Sequence, residues 1–373
     1  MNSSNFDIKT YYESFSAASF CPSSDYNSKI KLLKRQLRQV VVEIFSFCNR
    51  KCSFCPNSFI DRQGVNKIMA NDVFTHILRQ LQELDFCASL FYSNYNEPLA
   101  DRIILKRIAE SRTMLPKACL GLNTNGDYLT PDYLKELEVA GLTLLKLQAY
   151  LESGIVFSPQ AAAEAVEKQA RKTGVDCRWA APATLDIAMM TGRLNNLEII
   201  IYCRNFDRNG TDRGGLVDIN AEYSRISPCT VPFTDLYIEY NGNMVPCCNI
   251  RSDAEKHIPY VMGNVGQSSI LDIYFHPENV AWRNRLAYFK GNYPEPCQRC
   301  FFASAEATPV NLELVEKTML TSQAENARLE NQLTVLQKEI NQLKNSRSFR
   351  ITRPLRWLAD KGRKLRQLRR IET

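Results

Sequence analysis

Glu43-Ile-Phe-Ser-Phe-Cys-Asn-Arg-Lys-Cys-Ser-Phe-Cys-Pro-Asn57 sets three thiols, Cys48, Cys52 and Cys55, in a C-x3-C-x2-C spacing directly after the apolar run Val40 to Phe45. Thiolates this close together at a strand end can hold three corners of one metal site. A structural zinc ion wants four protein ligands, whereas an iron–sulfur cube held by three cysteines keeps one iron open for a further ligand. Three unrelated buried thiols are the bland alternative, since free cysteine is often simply core.

The aromatic Phe54 just before Cys55 completes a pattern that resembles the signature of the radical S-adenosylmethionine (SAM) superfamily, C-x3-C-x-aromatic-C. The resemblance implies that Cys48, Cys52 and Cys55 bind a [4Fe–4S] cluster and that SAM binds the unique iron. It also implies that Phe54 lies beside the adenine, and that SAM is cleaved to a 5′-deoxyadenosyl radical that takes a hydrogen from substrate. Further matches follow in order. The turn Asn96-Glu97-Pro98, after the strand starting at Leu90, is similar to the family's Gly-Gly-Glu-Pro segment. There Glu97 would receive the SAM ammonium group, a task suited to a carboxylate. Thr124-Asn125-Gly126 ends a strand from Ala118 and is similar to a third-strand Thr-Asn-Gly, which places Asn125 among the cofactor-binding residues. The strand Gly141 to Tyr150 has Gln148 and Tyr150 where relatives show Ser and Asp, so no ribose contact is assigned there.

Between these strands the periodicity predicts helices over Asn71–Leu84, Arg102–Ser111, Pro131–Ala140 and Pro159–Thr173, with Asn71 as the N-cap of the first. Strands alternating with such helices argue for a parallel sheet with its functional residues at the carboxyl ends of the strands. With a late strand at Leu197–Tyr202, residues 38–215 read as a partial (β/α)6 TIM-like barrel of the α/β class. Residues 1–37 are an N-terminal extension.

A second cysteine set, Cys229, Cys247, Cys248, Cys297 and Cys300, includes a G-x4-C element at Gly242 to Cys247 and a C-x2-C element at Cys297 to Cys300. Residues 216–308 thereby resemble a SPASM-type extension. The resemblance implies one auxiliary [4Fe–4S] cluster on Cys229, Cys247, Cys297 and Cys300, with Cys248 as the competitor of Cys247; a zinc ribbon is the alternative. Cys21, Cys87, Cys119, Cys177 and Cys203 read as core or free thiols, and Cys203 is also a candidate hydrogen donor.

Thirteen cysteines in 373 residues do not require disulfides, because a chain of this length buries ample core. Metal-type clustering and an opening Met1-Asn-Ser-Ser-Asn-Phe-Asp7 without an apolar segment point to a reducing cytoplasm, and no apolar run is long enough to span a membrane. The formal charge is +7; Ser346–Thr373 alone holds ten Lys or Arg against Asp360 and Glu372, or +8, leaving −1 for the rest. These cations alternate with Phe349, Ile351, Leu355, Trp357 and Leu358, an amphipathic pattern suited to an anionic membrane surface rather than to nucleic acid. Ahead of this tail, apolar steps of three and four over residues 309–345, from Leu312 to Leu343, read as a coiled coil for dimerisation or partner docking, or as a helix folding back on the chain.

The tail after the coil also resembles those of bacterial proteins that build cell-surface polysaccharide. Together these readings imply a radical SAM enzyme served by an electron donor such as flavodoxin or ferredoxin. Its expected task is oxidation or epimerisation of a carbohydrate intermediate of surface-polysaccharide biosynthesis. Peptide or protein modification is the alternative, and a non-catalytic iron–sulfur or zinc scaffold is a third reading.

Overall fold

The structure, a computed structural model, describes residues 25–152, 154–219, 222–225, 229–287, 293–300, 332, 335–339 and 341–342. The chain divides into two compact units, one holding Glu13–Thr308 and the other Pro309–Thr373. In the second unit, residues 332, 335–339 and 341–342 are helical, with Val335 and Leu336 exposed. The rest of the expected coil, the basic tail and Cys21 lie outside the described residues.

The first unit runs α1 (Tyr26–Gln36), β1 (Gln39–Val42), α2 (Asn71–Glu83), β2 (Ser89–Phe91), α3 (Ile103–Met114), β3 (Cys119–Thr124), α4 (Pro131–Val139), β4 (Leu144–Gln148) and α5 (Pro159–Thr173). It continues through β5 (Cys177–Ala181), β6 (Ile187–Leu194), β7 (Leu197–Arg204), the short α6 (Phe206–Asn209) and α7 (Val231–Thr234). The hairpin β8 (Asp235–Ile238) and β9 (Asn243–Val245), then β10 (Gly263–Asn264), α8 (Ile270–Tyr274) and α9 (Pro277–Ala287), complete it. All strands join one sheet in the order β10-β9-β8-β1-β2-β3-β4-β7-β6-β5.

Six neighbouring strands in that order, β8 through β7, are parallel. They form the expected six-stranded half-barrel. The sixth strand, β8, lies beyond residues 38–215, in the cysteine-rich extension, and pairs with β1 from Gln39↔Asp235 to Val42↔Ile238. The antiparallel β5 and β6 extend the far edge beside β7.

Alternation sorts the side chains. Val40 and Val42 enter the core beneath the helices with Leu90, Leu122, Leu145, Leu147, Ile199 and Ile201, whereas Val41 and Phe91 point the other way. The helices start where the sequence supplies caps: Thr130 accepts from the Tyr133 amide and Ser158 from the Ala161 amide, each followed by a proline in the first turn. Asn71 is not the N-cap of α2; Ala70 holds that position. The guanidinium of Arg107 is fully buried and needs acceptors, and it takes Asn71 Oδ1 at 2.7 Å together with the carbonyl of Met69 at 3.1 Å.

Gly126 follows β3 at φ +74°, where an added Cβ would collide with Leu147 Cδ1. Gly126→Ala is therefore expected to destabilise the apoprotein by about 2 kcal/mol, read by denaturant unfolding; an unchanged midpoint would show that β3 does not need this turn.

Candidate active site

A cavity of about 320 Å³ opens inside the half-barrel and is lined by all three thiols of the first cysteine set together with Phe54, Glu97 and Asn125. The segment bearing these thiols leaves β1 without regular structure and is held by its neighbours. The Glu97 amide donates to the Phe47 carbonyl at 2.8 Å. Arg50 forms a two-pronged ion pair with Asp127, which also accepts from Asn49 at 2.8 Å. Asn125 Nδ2 donates to Asn49 Oδ1 at 2.8 Å. The Thr-Asn-Gly turn thus grips the cysteine segment directly. The roles of Asn49, Arg50 and Asp127 were not read from the sequence; the acid following Asn125-Gly126 was the available signal.

Glu97 is 2% exposed, and its carboxylate collects three donors: Thr124 Oγ1 at 2.5 Å, the Leu99 amide at 3.0 Å and the Asn125 amide at 2.8 Å. Burial nevertheless dominates and raises its pKa to about 7. Phe54 does not face open space. Phe206 stacks on it with ring centroids 3.6 Å apart and planes at 1°, and Tyr150 lies 5.6 Å away. An adenine at Phe54 must displace Phe206 or use the opposite ring face.

Burial and the neighbouring thiols push Cys52 up to about 12, and burial raises Cys48. Three thiolates therefore resist forming together here unless a cationic core joins them, which suits an iron–sulfur cluster. The second set behaves alike. Cys229, Cys247, Cys297 and Cys300 line one small apolar pocket with Trp282 and Leu286, and burial holds Cys247 and Cys297 well above the usual thiol range. Arg225 Nη1 donates to the Cys300 carbonyl at 2.8 Å and its charge lies beside the Cys229 and Cys300 thiols. Cys248 faces away from this pocket into the main cavity, and its carbonyl accepts from Tyr95 Oη at 2.7 Å. Among the described residues no three His, Cys, Asp or Glu side chains converge as one metal ion would require.

A buried charge network joins the two cysteine regions. Glu43 accepts from Arg62 Nη1 at 3.0 Å and from the Tyr95 amide at 3.0 Å. Arg62 pairs with Asp253, and Arg251 spans Asp253 and Asn57 Oδ1, the latter at 2.9 Å. Glu239 accepts from the Ser252 amide at 2.7 Å, and burial, then the nearby Glu43, raises its pKa to about 8. Cys203 is buried behind β7 and lines the neighbouring cavity, not this one.

Comparison with known proteins agrees with this geometry. Residues 42–176 match the radical SAM superfamily and residues 229–301 match the SPASM iron–sulfur cluster-binding domain. The S-adenosyl-L-methionine-dependent 2-deoxy-scyllo-inosamine dehydrogenase of Niallia circulans is 25% identical over 262 residues, which cover 70% of this chain and 91% of that relative. The crystal structure of BtrN in complex with AdoMet and 2-DOIA shares the fold with a TM-score of 0.52 at 23% identity, covering 73% of this chain and 95% of the other. The chain carries a radical SAM domain followed by a SPASM domain. It is a radical SAM enzyme, and its cofactors are SAM, the [4Fe–4S] cluster that binds SAM and an auxiliary iron–sulfur cluster.

Anaerobic reconstitution is expected to give about eight iron per chain. Joint replacement of Cys48, Cys52 and Cys55 by Ala should leave about half of it. Cys247→Ala should likewise lose about half while Cys248→Ala keeps it all; the reverse result would exchange the roles of this pair. Glu97→Gln should weaken SAM binding at least about tenfold with iron content unchanged, and unaltered SAM affinity would remove Glu97 from the SAM site.

Proposed function

We propose that the protein oxidises a hydroxyl-bearing carbon of a carbohydrate. The observation that carries this reading is the position of Cys247 and Cys248. These adjacent residues face the auxiliary pocket and the main cavity respectively, so a substrate in the cavity lies against the wall of the auxiliary site. Converting an alcohol to a carbonyl removes a hydrogen atom, a proton and one more electron, so the reaction needs an electron acceptor close to the substrate. When bound, SAM and its cluster supply the hydrogen-abstracting radical, and the auxiliary cluster offers a place for the remaining electron.

The chain's own residues bind and orient. Glu97, which lines the cavity, is read as the receiver of the SAM ammonium, and Ser93, Asn123, Gln148 and Tyr202 line the cavity with polar groups suited to sugar hydroxyls. Similarity to a dehydrogenase of 2-deoxy-scyllo-inosamine, an amino polyol, supports a polyhydroxylated ring as substrate. Cys48, Cys52 and Cys55 are read as ligands of the SAM-binding cluster, and Cys229, Cys247, Cys297 and Cys300 as ligands of the auxiliary one.

The tail adds a place of work. Its ten cations interleaved with apolar residues suit the anionic inner face of a membrane where surface polysaccharide is assembled, with the 309–345 heptads serving dimerisation or docking. An electron donor of the flavodoxin or ferredoxin type completes the proposal.

Holoenzyme incubated with SAM and a panel of sugars should form 5′-deoxyadenosine only with its substrate. Deuterium from the oxidised carbon should appear in 5′-deoxyadenosine, and the product should be lighter by two hydrogens. Stimulation by a peptide and by no sugar would overturn the carbohydrate reading. Full-length protein should sediment with anionic but not neutral liposomes, and a chain ending before residue 309 should not; equal sedimentation would leave the tail with docking alone.

A further inference from the structure

The inner wall of the cavity carries cations that have no ion-pair partner among the described residues. On β4 and β7, Leu145, Leu147, Ile199 and Ile201 face the helices, so Lys146, Gln148, Tyr202 and Arg204 face the cavity. Gln148 pairs with Tyr202 and Lys146 with Ile200, which sets Lys146 and Arg204 about 13 Å apart along the wall at the backbone. Arg213, at φ +52°, enters from the segment after α6.

None of these three forms an ion pair among the described residues. The Lys146 ammonium rests over the Phe91 ring at 5.1 Å and the Arg204 guanidinium over Phe206 at 5.8 Å. Arg213 reaches Asn249 Oδ1 at 3.4 Å, and its Nε is buried without a hydrogen-bond partner. Of the acids nearby, Asp127 pairs with Arg50 and Glu97 is read as the partner of the SAM ammonium, while Glu198, two residues before Ile200 on β7, acts on Lys146 from a distance without forming an ion pair. Burial holds Lys146 below its ordinary pKa, and burial together with Arg213 does the same for Arg204. Like charges gathered in a cleft without a paired counter-ion are unfavourable until an anion arrives. The carboxylate of SAM accounts for one cation, and Arg213, whose charge is felt by the Cys55 thiol, is placed for it. Lys146 and Arg204 remain.

We infer that Lys146 and Arg204 receive an anionic group of the substrate, a phosphate ester or a carboxylate; resting on the carbohydrate reading above, this makes the substrate a sugar phosphate, nucleotide sugar or uronate. Arg204 offers the forked donor geometry that such oxygens take, and Lys146 a point charge deeper in the barrel. The same pair disfavours an ammonium-bearing sugar.

Binding of glucose, glucosamine, glucuronate, glucose 1-phosphate and UDP-glucose to the SAM-loaded holoenzyme, measured by calorimetry, tests the inference. The anionic sugars should bind at least tenfold tighter than glucose, glucosamine should bind worst, and rising salt should erase the preference. Glucose 1-phosphate or UDP-glucose ahead of glucuronate identifies the anion as phosphate, and the reverse order as carboxylate. Arg204→Gln and Lys146→Gln should each abolish the preference while iron content and SAM affinity stay at the wild-type level. Glucose or glucosamine binding as tightly as the anionic sugars would overturn the anion site and leave carbohydrate oxidation standing. Failure of every sugar, with Arg204-dependent binding of an aspartate-rich peptide, would instead overturn the carbohydrate reading and keep the anion site. Absence of binding by every anion, inorganic phosphate included, would overturn it outright.

Discussion

One buried carboxylate organises the catalytic end of the barrel. Glu97 draws together three segments that are far apart in sequence: its amide holds Phe47 at the entry to the cysteine segment, and its side chain holds Thr124 and Asn125 at the end of β3. Such a group is costly to bury unless its oxygens are satisfied, and satisfying them fixes the geometry of the turns around it. The cysteine segment lacks secondary structure of its own, so its shape is borrowed from these partners and from the grip of Asn125 and Asp127 on Asn49 and Arg50.

A second constraint ties the barrel to the cysteine-rich extension. Glu43 on the strand exit, Arg62 and Asn57 beyond the first cysteine set, and Glu239, Arg251 and Asp253 around the β8–β9 hairpin form one buried ionic network. Removing one member of such a set strands the others without solvent, so the two cluster regions are held in a fixed relation. The same hairpin pairs with β1, and the barrel therefore uses a strand that follows the main run of β/α units by about thirty residues of chain. Cys247 and Cys248 then face opposite sides of one thin wall.

Much of this was legible in the sequence because local chemistry carried it. The thiol spacing, the Thr130-Pro131 and Ser158-Pro159 helix starts and the apolar strands each declare themselves within a few residues. The G-x4-C register favoured Cys247, and Cys247 is the member of the pair that sits with Cys229, Cys297 and Cys300. What escaped the sequence depends on distant partners. Asn71 looks like a cap until Arg107 arrives from α3 to claim it. β5 is a largely exposed edge strand without an alternating pattern, so the β5–β6 hairpin left little trace. Phe206 gives no hint that it stacks on Phe54, and Lys146 and Arg204 are ordinary strand residues until two adjacent strands turn them into one cavity.

The central claim is that the two thiol sets hold two clusters of which SAM touches one. Electron paramagnetic resonance of the dithionite-reduced holoenzyme, recorded without and with SAM, addresses it directly. Two reduced cluster signals are expected, one of which changes shape when SAM is added while the other does not. A spectrum in which SAM alters no signal, or in which one cluster accounts for all the spin, would contradict the account.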